Sequence, residues 1–317
     1  MKKIWLTGSG GMVGSAVLEE LLRTNKGVYE LHSTASSDLD LRDQRSTYKY
    51  VDSLKPDIAI LSAARVGGVH SNSTYPAVFA LENQLMQTNA LQALVNNGVK
   101  KVIFVGSSCI YPSNAPIPLS PESLNSGDFE GTNKWYAMAK LSMIYSLDAV
   151  AKQYGVEVVT LLPTNLYGPK DNFHELDGHV IPSLMIKAIR AREQGTPLSV
   201  WGSGKPMREV LFVEDFAKAV SATLKETNLP TVINVGSGDE FSILEIASKV
   251  KQAVGLDEEI VLDETKPDGA FRKPLDSTVI RSIGWSPKIS FDEGLARTHK
   301  WMSENKSSLR QKGVQIS

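Results

Sequence analysis

The chain has 317 residues, 42% hydrophobic and 22% charged, an ordinary composition for a globular protein and enough for one large domain or two intimate ones. Its 34 Lys and Arg against 35 Asp and Glu give a net charge of -1, so no basic surplus can neutralise a phosphate polymer and no nucleic-acid partner is expected. One cysteine excludes an intramolecular disulfide framework and a multi-cysteine metal site, fits a reducing compartment, and leaves no metal expected.

In chain order, the first apolar run stops at Thr7-Gly8, too short for a signal-peptide core or a membrane span, which predicts a soluble, cytoplasmic protein with no membrane partner. Lys3 to Leu6, Tyr29 to Ser33, Ile58 to Ser62, Val102 to Gly106 and Val158 to Leu162 read as strands. Between them, Gly14 to Arg23 (Val17, Leu18, Leu21 and Leu22 apolar) and Gln84 to Asn96 have helical spacing. Strand and helix in alternation predict an α/β fold, a doubly wound parallel sheet of Rossmann type that binds ligands at the C-terminal ends of its strands. Beyond Pro163 the chain is punctuated by Gly168-Pro169, Gly195, Gly202, Gly204 and Pro206, Pro230, Gly236 and Gly238. Asp257 to Asp276 reads as a charged loop, Ile283 to Pro287 leads to a last amphipathic helix, and the polar tail after about Glu304 is expected to fray. This pattern divides the chain into a dinucleotide-binding domain over 1–165, to which about 205–237 returns, and a smaller, mainly substrate-binding α/β domain over 166–317.

Lys3 to Leu6 runs straight into Thr7-Gly8-Ser-Gly-Gly11-Met-Val-Gly14, which opens a helix. A G-x-x-G-x-x-G loop between strand and helix is a dinucleotide fingerprint. Its glycines permit a tight turn and let a pyrophosphate approach the free N–H groups at the helix start. An NAD site favours a carboxylate at the end of the second strand, where it accepts from the ribose 2′-hydroxyl. That stretch reads Glu30-Leu-His-Ser-Thr-Ala-Ser-Ser37, with no carboxylate until Asp38, which predicts NADP(H) as cofactor. It carries no arginine to clamp a 2′-phosphate; only His32 and neutral donors are visible, so weak discrimination is expected.

Tyr136-Ala-Met-Ala-Lys140 places a phenol and an ammonium on one face of a helix. A phenol of ordinary pKa about 10 exchanges protons poorly at neutral pH. A neighbouring cation is expected to bring it into range, and a serine in Gly106-Ser107-Ser108-Cys109 to hold the substrate oxygen. Alone, Y-x-x-x-K arises by chance in amphipathic helices. Joined to the glycine loop and a serine about 30 residues upstream, it resembles the extended, nucleotide-sugar-modifying branch of the short-chain dehydrogenase/reductases.

Longer strings sharpen the resemblance. Val66-Gly-Gly-Val, Gly106-Ser-Ser-Cys-Ile-Tyr-Pro112, Pro163-Thr-Asn-Leu-Tyr-Gly-Pro169, Asp171-Asn-Phe-His174, His179-Val-Ile-Pro182, Trp201-Gly-Ser-Gly-Lys-Pro-Met-Arg-Glu209 and Lys266-Pro-Asp-Gly269 with Arg272-Lys273 occur in order. They are similar to the motifs of the GDP-L-fucose synthase family over roughly residues 4 to 302. The resemblance implies NADPH-dependent 3,5-epimerisation and 4-reduction of a GDP-4-keto-6-deoxy sugar by a homodimer. It implies that Tyr136 protonates the C4 oxygen, Lys140 lowers the tyrosine pKa and holds the nicotinamide ribose, Ser107 positions the ketone, and Cys109 and His179 exchange protons at C3 and C5. It further implies cofactor contacts from Gly8, Gly11, Met12, Val13, Gly14, Ser36, Asp40, Leu41, Ala63, Ala64, Lys140, Pro163, Asn165, Leu166 and His179. Substrate contacts are implied for Ser108, Asn165, Val180, Lys187, Trp201, Arg208 and Asp268.

Three departures qualify the family pattern. Lys187 stands where arginine is usual, Gly10 and Ser36 replace two cofactor-loop arginines, and Glu130-Gly-Thr-Asn-Lys-Trp-Tyr136 replaces E-P-T-N-E-P-Y. They keep open a related GDP-4-keto sugar (a 3,6-dideoxy sugar or a heptose) and a simple 4-reductase. An NAD-dependent 4-epimerase or dehydratase, and a regulator without catalysis, are further readings, against which the Cys109/His179 pair and the intact Ser107, Tyr136 and Lys140 argue.

Overall fold

The computed structural model describes residues 1–266, 268–311 and 313; Pro267 of the Lys266–Gly269 string, and the tail positions 312 and 314–317, lie outside the described residues. The first half alternates as predicted: β1 (Lys2–Thr7), α1 (Met12–Thr24), β2 (Tyr29–Thr34), α2 (Gln44–Leu54), β3 (Ile58–Leu61), α3 (Val69–Thr74), α4 (Pro76–Asn96), β4 (Lys101–Val105), α5 (Lys134–Tyr154) and β5 (Glu157–Pro163). Then come β6 (Asn165–Tyr167), α6 (Val180–Gln194), β7 (Leu198–Trp201), β8 (Met207–Phe212), α7 (Val213–Lys225), β9 (Val232–Val235), β10 (Glu240–Ser242), α8 (Ile243–Val254), β11 (Ile260–Asp263), α9 (Thr278–Ser282) and α10 (Phe291–Glu304).

The main sheet is parallel, in the order β2-β1-β3-β4-β5-β9. Its strands alternate with period two between two buried faces. Trp5, Ala59, Leu61, Val102 and Phe104 meet α2, α4 and α5, while Ile4, Leu6, Ile58, Ile60 and Ile103 meet α1 and α7. Both faces being covered, these strands read as continuous apolar runs. A third cluster, around Phe173, Leu184, Val200, Val210, Ile246 and Leu295, joins α6, α8 and α10 to the short sheets β10-β8-β6 and β11-β7. Along α1, Val17 and Leu21 are buried but Leu22 faces solvent.

Most elements after β5, and α2 and α3 before it, lie outside the segments named from the sequence; two of them show why. The span of α2 is mostly polar; it buries only Thr47, Val51 and Leu54 and starts on the Asp43 carboxylate, which accepts from Arg45 N and Ser46 N. Within the predicted charged loop, Ile260–Asp263 forms a strand because it pairs in parallel with β7. Glu209 ties the halves of the chain together. Its buried carboxylate accepts from Gly238 N at 2.7 Å and Leu275 N at 2.9 Å, and its carbonyl accepts from Thr164 Oγ1 and Asn165 Nδ2. Removing that carboxylate orphans two N–H groups, at about 1–3 kcal/mol each.

Candidate active site

The sheet order turns at β1 and β3, the switch point at which such folds bind ligands. Thr7 fixes it: its hydroxyl accepts from Ser62 N at 3.1 Å and Ala63 N at 3.2 Å, drawing the end of β3 against the glycine loop. Gly8 has φ +74° and approaches Ala63 so closely that a Cβ would lie 2.9 Å from its backbone; a Cβ on Gly14 would lie 2.1 Å from Gly8 O. Met12 and Val13, in the first turn of α1, line the space above, and that turn carries no acidic residue. The open N–H groups and positive end of α1 therefore suit a diphosphate, and the glycine cradle fits a dinucleotide.

A cleft of about 1010 Å³ extends from this cradle across the ends of β3, β4 and β5 to α6 and β7. Of the residues expected from the sequence to act or to bind, all but His32 line it, from Ser36, Asp40, Leu41, Ala63 and Ala64 at one end to Val180, Lys187, Trp201, Arg208 and Asp268 at the other. His32 does not line it; its ring meets Glu30 at 2.7 Å. A cation on this wall that the sequence reading missed is Arg42, two residues past Asp40. It grips Asp40 through Nη2 (2.8 Å) and Nε (3.0 Å) and reaches Glu82 on α4 at 3.1 Å. That grip holds the Asp40 carboxyl below its usual range and occupies an acid that a ribose 2′-hydroxyl would otherwise use.

Gly106, wedged against Leu162, passes the chain from β4 into a short turn over Ser108–Ile110. Ser107 caps that turn, its hydroxyl accepting from Cys109 N at 3.2 Å, so one side chain sets both the serine and the cysteine at the cleft. Opposite them, α5 turns Tyr136 and Lys140 inward. Lys140 is fully enclosed, donates to Val105 O at 2.8 Å and lies 5.9 Å from the Tyr136 ring centre. Burial pulls its ammonium down to about 7. Burial, then the neighbouring Cys109, pushes the Tyr136 phenol above its ordinary value, with the Ser107 hydrogen bond acting the other way. Burial thus outweighs the lowering of the phenol expected from the lysine, whose own charge desolvation weakens.

His179 opens α6 and Lys187 follows two turns along it, with Nζ 4.7 Å above the Trp201 ring. Burial lowers the Lys187 ammonium, against the pull of Glu175 and Asp263. Arg208 donates through Nη1 to Met207 O and Ala270 O, both at 2.7 Å. Burial lowers its guanidinium, opposed by Glu130, Cys109 and Asp268, so a cation stands within electrostatic reach of the thiol. Asp268 lines the cleft but is committed to Ser203, accepting from its N at 2.9 Å and its Oγ at 2.7 Å. Glu130 and Lys273, paired at 2.7 Å, and Asp171 also line the cleft and were missed, because only tertiary contacts bring them there. Lys134 and Trp135, the replaced pair immediately before Tyr136, are not on its wall. The phase of α5 that buries Tyr136 turns Trp135 to solvent, under the Lys134 ammonium 5.4 Å from its ring centre. Among the described residues no helix is long and apolar enough to cross a membrane.

Comparison with known proteins shows the family. A family model described as "NAD dependent epimerase/dehydratase family" matches residues 4–236. A putative GDP-L-fucose synthase 2 of Arabidopsis thaliana is 43% identical over 304 residues, covering 96% of this chain and 92% of its own. A GDP-L-colitose synthase of Yersinia pseudotuberculosis is 34% identical, covering 96% and 99%. The crystal structure of a GDP-L-fucose synthetase from Naegleria fowleri bound to NADP superposes with a TM-score of 0.89 at 30% identity, over 98% of this chain and 96% of that one.

Proposed function

We propose a reaction from the premise that this chain belongs to the NAD dependent epimerase/dehydratase family and, within it, to the GDP-L-fucose synthases. The enzyme converts GDP-4-keto-6-deoxy-D-mannose to GDP-L-fucose by epimerising C3 and C5 and reducing C4 with NADPH. The observation that carries this reading is the convergence of Ser107, Cys109, Tyr136, Lys140 and His179 on the cleft that begins at the glycine cradle. In this reading residues 1–165, with 205–237 returning, hold the cofactor, and 166–317 mainly hold the sugar nucleotide.

The C4 ketone acidifies the neighbouring C–H bonds. Cys109 takes a proton from a flanking carbon, and His179 returns one to the opposite face of the resulting enolate. Arg208 supports the thiolate by its charge and binds the diphosphate, while Lys187 and Trp201 hold the nucleotide. Ser107 then holds the ketone oxygen and Tyr136 delivers its proton there; Lys140 takes up the charge left on the phenolate and steadies the nicotinamide ribose. When bound, NADPH supplies the hydride to C4. A reduced cysteine at the centre of the mechanism supports a cytoplasmic enzyme.

Turnover tests the reaction: pure enzyme and NADPH with a panel of GDP-4-keto sugars should oxidise NADPH fastest with the 6-deoxymannose compound. The second reading, 4-reduction of a related GDP-4-keto sugar (a 3,6-dideoxy sugar, which has no C3 centre to invert, or a heptose), draws support from the likeness to the GDP-L-colitose synthase. It predicts another sugar as the best substrate.

Ser36, Ser37 and Arg42 on the ribose wall, with Asp40 already paired, favour a 2′-phosphate. NADPH should therefore exceed NADH in kcat/KM. A measured preference of about tenfold for NADH, worth about 1.4 kcal/mol the other way, contradicts this assignment.

The enzyme is also read as a homodimer. Leu81 and Leu85 on α4, and Trp135, Met138 and Tyr145 on the adjacent α5, form an exposed apolar face suited to a two-fold four-helix bundle. Light scattering should give twice the chain mass, and Tyr145→Glu should shift it toward the monomer. A monomeric native protein contradicts the dimer.

A further inference from the structure

Among the buried carboxylates on the cleft wall that the mechanism does not use, Asp171 stands out by an oxygen that makes no hydrogen bond. Asp171, in the segment after β6, is 5% exposed and lines the cleft. Its Oδ1 accepts from Asn172 N at 2.7 Å, but its Oδ2 is buried with no hydrogen-bond partner. A bare carboxylate oxygen is unusual in a native interior, because nothing offsets its desolvation. The segment folds back onto the residues that lead into His179. Gly178 N donates to His174 O at 2.9 Å, and a Cβ on Gly178 would lie 2.5 Å from Asn172 O. Asp171 thus belongs to a stretch whose backbone touches the residue immediately before His179. That stretch is anchored: Phe173 is fully buried, stacks on Trp301, and donates from its N to Arg310 O at 2.8 Å.

His179 sits at the N-cap of α6, yet its side chain makes no capping hydrogen bond, so the helix start does not fix the ring. The other carboxylate nearby, Asp177, is committed elsewhere: Oδ1 meets His70 Nδ1 at 3.0 Å and accepts from Ser71 Oγ at 2.6 Å, and Oδ2 lies 3.6 Å from His174 Nδ1. Burial pushes the Asp171 carboxyl above its ordinary range. His179 opposes that most strongly, ahead of the Asn172 N–H and Arg310.

We propose that Asp171 is the positioning carboxylate of His179. Its Oδ2 accepts from the imidazole N–H turned away from the sugar, which fixes the tautomer and presents the other nitrogen to the ring carbon. Asp171 takes no proton itself; the proton delivered to carbon comes from His179, as in other carboxylate–imidazole pairs. This rests on reading His179 as one of the epimerising pair.

The test uses the full-length enzyme with ¹⁵N-labelled histidine. In the native protein the ring nitrogens of His179 should report one tautomer, and in Asp171→Asn a mixture. Solvent-deuterium incorporation into the substrate should fall at least about tenfold in Asp171→Asn, with the KM for NADPH unchanged. Asp171→Glu should recover part of the exchange. His179 signals that are the same in native and Asp171→Asn protein overturn the proposal. Should Asp171→Asn fail to fold, His179→Asn gives the reciprocal reading: the ¹³C carboxyl signal of Asp171 moves if the two groups pair and stays if they do not. If His179→Asn exchanges deuterium at the native rate while the ¹⁵N signals move in Asp171→Asn, the acid/base reading of His179 falls and the pairing stands.

Discussion

Tyr136→Phe should stop ketone-dependent oxidation of NADPH while leaving GDP-sugar binding intact. The phenyl ring fills the same buried position, so the substitution removes the hydroxyl and its hydrogen bond with Ser107 and little else. Removing a general acid costs about 10²-fold to 10⁴-fold in rate. The loss should fall on kcat rather than on KM, because the proton is needed only as charge develops on the C4 oxygen. The phenol is held above its ordinary value by burial and by Cys109, so it is fully protonated and ready to donate at neutral pH. In the proposed mechanism its difficulty comes after donation, and there Lys140, drawn down to about 7 by burial, is to take up positive charge as negative charge appears. A Phe variant that reduces the ketone at more than about a tenth of the native rate, well short of the loss expected for a general acid, contradicts the role given to Tyr136.

Cys109→Ser should separate the two chemistries. Serine preserves the size of the side chain and leaves the Ser107 cap on the turn intact, since that cap uses the backbone N of residue 109. A serine hydroxyl stays un-ionised near neutral pH, whereas a thiol, of ordinary pKa about 8.5, can supply the thiolate that acts as base. Epimerisation should therefore fail while hydride transfer and the Tyr136 proton remain available. The product expected is a reduced GDP-sugar with unaltered configuration at C3 and C5. Fully epimerised product from Cys109→Ser contradicts the assignment and moves the base elsewhere in the cleft. Arg208→Lys, which keeps the charge but not the fork, should weaken substrate binding more than exchange.

How much of this was legible in the sequence depends on how local each signal is. The glycine loop needs only a strand, a turn and a helix start in succession, and Gly8, Gly11 and Gly14 state that in seven residues. Tyr136 and Lys140 share a helix face by spacing alone. By contrast, α2 was missed because its burial is slight, and Ile260–Asp263 because its strand character comes from β7, some sixty residues earlier in the chain. Arg42 stood in plain view but outside the stretch searched for a phosphate clamp, and only its reach to Asp40 and Glu82 marks it. The substitutions at Lys134 and Trp135 looked important because they adjoin Tyr136 in sequence. One residue of helical rotation separates a cleft wall from solvent, and the packing of α5 decides which is which. Asp171 was invisible as a candidate, since nothing local says that its second oxygen would be buried and bare.

The most direct test of the whole account is a single reaction in deuterium oxide: native enzyme, NADPH and GDP-4-keto-6-deoxy-D-mannose, with the product identified by NMR. The product should be GDP-L-fucose carrying solvent deuterium at C3 and C5, and protium at C4 delivered from NADPH. A 4-reduced sugar with no deuterium at either flanking carbon would contradict it, leaving a simple reductase in which Cys109 and His179 exchange no protons.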